Sequence, residues 1–139
     1  MTNASTDVST GASTDVSTDH EVELTPAQAV AESGFSLDTL RYYERVGLLG
    51  EVRRSASGHR RFTPHDLAWL GVLRCLRDTG MPIADMLSYA ELVRSGDATV
   101  AERLAVLEAH DEQVEQQIRE LRRQQQAIRD KIAYYREVL

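Results

Sequence analysis

The sequence predicts a mainly α fold: a head of short capped helices with one small hairpin, followed by a long C-terminal coiled-coil helix. Cap residues and glycines punctuate the chain from Thr25 onward. An arginine-rich segment turns on Ser57-Gly58, and an apolar seam runs from Val100 to Leu139 without Pro or Gly.

Thr25-Pro26-Ala27-Gln28 supplies an N-cap, a proline at the first helical position and a capping-box glutamine. That helix runs through Val30 to about Ser33 and stops at Gly34, a natural left-handed terminator. Phe35 crosses the turn, Ser36 caps a second helix from Leu37 to about Arg45, and Gly47 ends it. Short helices joined by a Gly-containing turn are the skeleton of a helix-turn-helix. Val52-Arg53-Arg54 and His59-Arg60-Arg61-Phe62 flank Ser55-Ala56-Ser57-Gly58, the pattern of a small hairpin, a wing. Thr63-Pro64 starts a third helix with Asp66 near its positive end, and Leu67, Leu70 and Leu73 run beside Arg74 and Arg77 until Gly80. A fourth helix follows Pro82, with Ile83, Met86, Leu87, Ala90 and Leu92 to bury, and ends at Ser95-Gly96.

Thr99-x-x-Glu102 reads as a second capping box. Beyond it, Val100, Leu104, Leu107, Asp111, Val114, Ile118, Leu121, Gln125, Ile128, Ile132, Tyr135 and Leu139 alternate four- and three-residue steps. Ten of these twelve positions are apolar, a coiled-coil heptad in which Asp111 and Gln125 are register-setting exceptions. A helix of nearly forty residues is about 57 Å long, too long for the preceding head to cover. The expected cover is a second copy of the chain, with Leu104, Leu107, Val114, Ile118, Leu121 and Ile128 in the dimer seam.

Charge divides unevenly along the 139 residues. The net charge is −6, but residues 1–23 carry −5, residues 24–80 carry +2 and residues 81–139 carry −3. Positive charge is concentrated where a phosphate-binding surface would sit. The organisation expected is an acidic, Ser/Thr-rich disordered tail over residues 1–22, a DNA-binding head over 23–96 and a coiled-coil dimerisation helix over 97–139. The tail repeats Ala-Ser-Thr-Asp-Val-Ser-Thr from Ala4 and again from Ala12, too short and too polar to stack. No apolar run is long enough to span a bilayer, and the N-terminus lacks the features of a secretory signal. A single cysteine, Cys75, excludes an internal disulfide and fits a reducing cytoplasm. An enzyme is not expected: the chain has no Gly-rich phosphate loop, no metal-ligand spacing and four scattered histidines. No cofactor and no metal are expected.

The second helix carries the chemistry. Leu37 and Leu40 face the first helix, while Thr39, Tyr42 and Arg45 share another face with Arg41 beside it. Hydroxyl and guanidinium groups there suit base edges and phosphates. The wing adds Arg53, Arg54, His59, Arg60 and Arg61, and arginine's forked donors match phosphate oxygens. The DNA-contact set expected is Gln28, Ser36, Thr39, Arg41, Tyr42, Arg45, Arg54, His59, Arg60 and Arg61.

Leu37-x-x-Leu40-Arg41-Tyr42-Tyr43-Glu44-Arg45-x-Gly47-Leu48-Leu49, then Arg53/Arg54-x-x-x-Gly58-x-Arg60-x-Phe62-Thr63, resembles the MerR family of bacterial transcription regulators. The resemblance extends through Arg77-x-x-Gly80-Met81-Pro82-Ile83 and the long helix. It implies an antiparallel-coil homodimer on double-stranded DNA, reading a pseudo-palindrome between promoter elements spaced too far apart. It also implies that the dimer bends and untwists the DNA so that RNA polymerase engages both elements. Carried over by motif, Arg41 and Tyr42 grip phosphates and Thr39 lies near the bases. Arg54, His59, Arg60 and Arg61 would then hold the flanking backbone.

Sensing is less defined. No cysteine follows Asp97-Ala98-Thr99-Val100 and the sequence closes on its coil, so neither the metal route of many relatives nor their C-terminal ligand domain is expected. His110, with Asp111 and Glu112, reads as helix surface. Cys75, between Arg74 and Arg77, is either a small buried hydrophobe or a sensor thiol whose pKa the arginines lower. The second reading follows a likeness to the aldehyde- and nitrosative-stress subgroup of the family. The rival functions are a coiled-coil adaptor, which leaves the arginine wing unexplained, and an architectural or excision factor using the same head.

Overall fold

The computed structural model describes residues 23–50, 53–58 and 60–139. The expected tail over residues 1–22 lies outside them. The elements in order are α1 (Pro26–Ser33), α2 (Leu37–Val46), β1 (Arg53–Arg54), β2 (Arg60–Arg61), α3 (Pro64–Asp78), α4 (Ile83–Arg94), a 3-10 turn (Asp97–Thr99) and α5 (Val100–Val138). The chain divides into two compact units, one ending at Val72 and the other Leu73–Leu139. The packing boundary falls inside α3, and α4 packs with α5.

In the first unit the local signals act as expected. Thr25 accepts from the Gln28 backbone N–H at 3.2 Å, and Gln28 Oε1 accepts from the Thr25 N–H at 2.8 Å, closing the capping box. Gly34 and Gly47 end α1 and α2 in the left-handed region, at φ 78° and 95°. The wing is an antiparallel pair with Arg53 opposite Arg61 and Arg54 opposite Arg60. Its turn closes where Gly58 N–H donates to the Ser55 carbonyl at 2.9 Å. Leu24 and Phe62 extend this by a two-way backbone bridge, at 2.7 and 2.9 Å. The core gathers Ala29, Phe35, Leu40, Tyr43, Leu48, Phe62 and Leu70, with the Phe35 and Tyr43 rings edge to face at 5.2 Å. Thr63 and Asp66 cap α3 reciprocally, at 2.9 and 3.1 Å.

The second unit buries Leu73, Leu76, Met81, Met86, Tyr89 and Ala90. Two expectations for α4 change here. Ile83 is exposed, and Tyr89 is buried on the inner face instead. The second capping box is also absent. Thr99 precedes α5 without capping it through its side chain, because the 3-10 turn lets its hydroxyl reach the Leu92 and Gly96 carbonyls. Arg103 reinforces that corner, its Nη2 donating to the Gly96 carbonyl at 2.8 Å.

Helix α5 is 39 residues long, about 58 Å at the usual helical rise. The side of it turned towards α4 overlaps the heptad seam only at Val114. Arg103, Val106 and Val114 are half-buried and His110 is buried, whereas Val100, Leu104, Leu107, Ile118, Leu121, Ile128 and Ile132 are exposed.

Gly47 tests how firmly α2 is stopped. A Cβ there would meet nothing within 4 Å, so the cost of a side chain is purely conformational. Gly47→Ala is expected to lower stability by about 1–2 kcal/mol, measured by urea denaturation with an unchanged m-value.

Candidate nucleic-acid interface

The recognition helix is set by its cap. Ser36 Oγ accepts from the Thr39 backbone N–H at 3.1 Å and its hydroxyl donates to Thr39 Oγ1 at 3.0 Å. Ser36 and Thr39 therefore fix the start of α2 before they meet any ligand, and Thr39 is half-buried. Gln28 is likewise engaged in its capping box, although its side chain remains exposed. Beyond the cap the helix displays Arg41, Tyr42 and Arg45, all exposed, with the Arg45 guanidinium 5.5 Å from the centre of the Tyr42 ring. Arg41 is 3.9 Å from Asp38 across two exposed side chains. Such a pair is worth less than about 1 kcal/mol, so a phosphate displaces it readily.

The wing is tied to this helix by one residue that the sequence reading quoted only as part of a motif. Glu44 accepts from Arg54 Nη2 at 3.2 Å through one carboxylate oxygen and from Arg60 Nε through the other. Arg54 also donates to the Gly58 carbonyl at 3.3 Å, closing the wing on itself. Arg54 stays about half exposed, whereas Arg60 is three-quarters covered. Of the expected wing contacts, Arg54 retains an open face and Arg60 works first as an anchor. Arg61 is half-buried, and His59 lies outside the described residues. Trp69 was not foreseen either: its indole N–H donates to the Leu48 carbonyl at 2.7 Å, fastening α3 to the segment after α2.

A family model described as the MerR HTH family regulatory protein matches residues 24–88, and one described as MerR, DNA binding matches residues 67–131. An HTH-type transcriptional regulator of Haemophilus influenzae is 43% identical over 111 residues, covering 80% of this chain and 82% of that protein. This chain belongs to the MerR family. The crystal structure of HiNmlR, a MerR family regulator lacking the sensor domain, bound to promoter DNA, is 44% identical with TM-score 0.69, over 73% of this chain and 77% of that one. The crystal structure of a MerR family regulator from Listeria monocytogenes has TM-score 0.76 at 33% identity, covering 81% and 85% of the two chains. The protein is thus a MerR-family DNA-binding transcription regulator, a class of regulators and not of enzymes.

Cys75 and His110 lie in the second unit. The Cys75 thiol is exposed, so the buried-hydrophobe alternative does not hold. Its neighbouring arginines both pair with Asp78: Arg77 Nη2 is 3.0 Å and Arg74 Nε 3.4 Å from the carboxylate. The Arg77 hydrogen bond above all holds the Asp78 carboxyl below its usual range, with Arg74 adding to it. His110 corrects a second expectation. It is buried, 8% exposed, with Nε2 2.7 Å from Thr79 Oγ1 just beyond α3. Among the described residues no cluster of His, Cys, Asp and Glu is arranged to hold a metal, and no helix is long and apolar enough to cross a membrane.

Arg41→Ala is expected to weaken binding to every DNA sequence alike and to reduce the salt dependence of log K by about one, as read by fluorescence anisotropy at several salt concentrations. Glu44→Gln separates charge from anchoring. By charge alone it would tighten DNA binding, whereas loss of the wing anchor weakens it and speeds amide exchange at Arg54 and Arg60. The expected outcome is weaker binding with a stability loss of about 1 kcal/mol.

Proposed function

We propose that this MerR-family regulator works in the cytoplasm as a homodimer paired antiparallel through α5. Its two recognition helices read the halves of a promoter pseudo-palindrome. The dimer bends and untwists the intervening DNA so that RNA polymerase engages promoter elements set too far apart. Within this reading, Arg41 and Tyr42 hold phosphates, Thr39 and Arg45 lie towards the bases, and Arg54 and Arg61 with His59 grip the flanking backbone.

The observation that carries the reading is the division of α5 into two faces. The side packed within the chain leaves a separate seam open, with Leu104 55%, Leu121 67% and Ile128 62% exposed. Each such side chain gains about 1.5–3 kcal/mol on full burial, and a self-complementary seam supplies the cover. Charge supports the antiparallel sense. Residues 100–117 carry five acids against Arg103 alone, whereas residues 118–139 carry six basic residues against three acids. Antiparallel pairing lays each acidic half on the partner's basic half; parallel pairing lays like on like. HiNmlR, which binds promoter DNA without a sensor domain, supports the promoter as the site of action.

The reading also includes an electrophile response at Cys75, supported by the exposure of its thiol on α3. Leu121→Asp combined with Ile128→Asp is expected to convert the dimer to a monomer in light scattering at micromolar concentration, with at least a hundredfold loss of operator affinity. A dimer that survives both changes would remove the seam as its basis. Cys75→Ser is expected to keep DNA binding while abolishing the transcriptional response to an aldehyde. Genome-wide capture of bound DNA locates the sites: overlong promoter spacers are expected, and sites away from promoters would favour an architectural factor.

A further inference from the structure

Between α4 and α5 lies a groove of about 240 Å³, slightly smaller than the pockets that hold drug-sized ligands. Met81, Val106 and Ala109 are its apolar lining residues, and Asp85, Ser88, His110 and Gln113 are its polar ones. None of the residues lining it is a lysine or arginine, so the only formal charge there is the Asp85 carboxylate.

His110 adds a second acceptor. Thr79 Oγ1 is 2.7 Å from the Cys75 carbonyl and 2.7 Å from His110 Nε2. The hydroxyl has one proton and a carbonyl only accepts, so that proton goes to Cys75 and the imidazole Nε2–H donates to Thr79. In the neutral ring this leaves Nδ1 with its lone pair, on a residue that lines the groove. The groove also keeps clear of the dimer seam. At 100° per residue its α5 members, Val106, Ala109, His110 and Gln113, centre roughly 130° round the helix from Val100, Leu104, Leu107, Asp111, Val114 and Ile118. Pairing through the seam leaves it open.

We propose that this groove binds a small organic cation with an apolar body, of the aryl- or alkyl-ammonium class. The ammonium meets the Asp85 carboxylate, with His110 Nδ1 as a further acceptor, and the body lies against Met81, Val106 and Ala109. Occupancy acts on the end of α3. His110 holds Thr79, Thr79 holds the Cys75 and Leu76 carbonyls, and Gln117 Nε2 donates to the Thr79 carbonyl at 3.1 Å. The regulatory meaning of the site rests on the regulator reading above; binding itself is measured without DNA.

The test titrates the full chain with benzylamine and follows methyl resonances of Met81, Val106 and Ala109 by NMR, with benzoate as the charge-reversed control. Saturable shifts confined to the groove are expected with benzylamine and not with benzoate. Affinity should fall at least fivefold in Asp85→Asn and rise at least threefold in Gln113→Glu, which adds a second carboxylate. Absent groove shifts, equal shifts with benzoate, or an affinity indifferent to both substitutions would overturn the site. Light scattering on the same samples reports the oligomeric state separately, so failure of the dimer reading is distinguishable from failure of the groove.

Discussion

Glu44 sits on α2, the recognition helix, and takes an arginine of the wing on each carboxylate oxygen, Arg54 on one and Arg60 on the other. A hairpin with strands of two residues each has little stability of its own. What gives it a fixed direction is this carboxylate at one end and the Leu24–Phe62 bridge at the other. The relative placement of the helix and wing arginines depends on an acidic residue within a basic segment. Its negative charge opposes phosphate. The opposition is small, because two guanidiniums share the carboxylate and the surface stays positive around it.

Helix α5 meets a different constraint, since it carries one side packed against α4 and another that is exposed. The side towards α4 is polar as well as apolar: His110, Gln117 and Arg103 use hydrogen bonds to Thr79 and Gly96 to fix register along the chain's own helices. The other side is mainly aliphatic, with Asp111 and Gln125 as its polar positions and a division of charge along the helix. Hydrogen bonds position the helix on its own unit, and aliphatic burial suits association. This division explains why the inner residues are few and closely spaced, whereas the exposed seam runs to the end of the chain.

Much of the fold was legible because its signals are local. Gly34, Gly47 and Gly80 each stop a helix where the sequence places a left-handed residue, and all have positive φ. The heptad seam was visible because a period needs no tertiary knowledge. Contacts between distant residues left no such trace. His110 has the sequence surroundings of a surface residue and is buried only because Thr79 returns to meet it. Thr99 has the spacing of a cap, yet its hydroxyl finds the carbonyls of a preceding turn. Residue types were legible but not allegiances: Ser36 and Gln28 already serve as caps, Arg60 is spent on Glu44, and Arg74 and Arg77 pair with Asp78.

The chain contains a single tryptophan. Trp69 sits half-buried in the first unit, its indole N–H held by the Leu48 carbonyl just beyond α2. Indole emission responds to hydrogen bonding and to water, so the protein carries its own optical probe of the recognition helix and the segment leading to the wing. The tyrosines Tyr134 and Tyr135 stand at the far end of α5, in the other unit. Selective excitation of the indole therefore watches the head melt without interference from the coil, in the native chain and without any added dye.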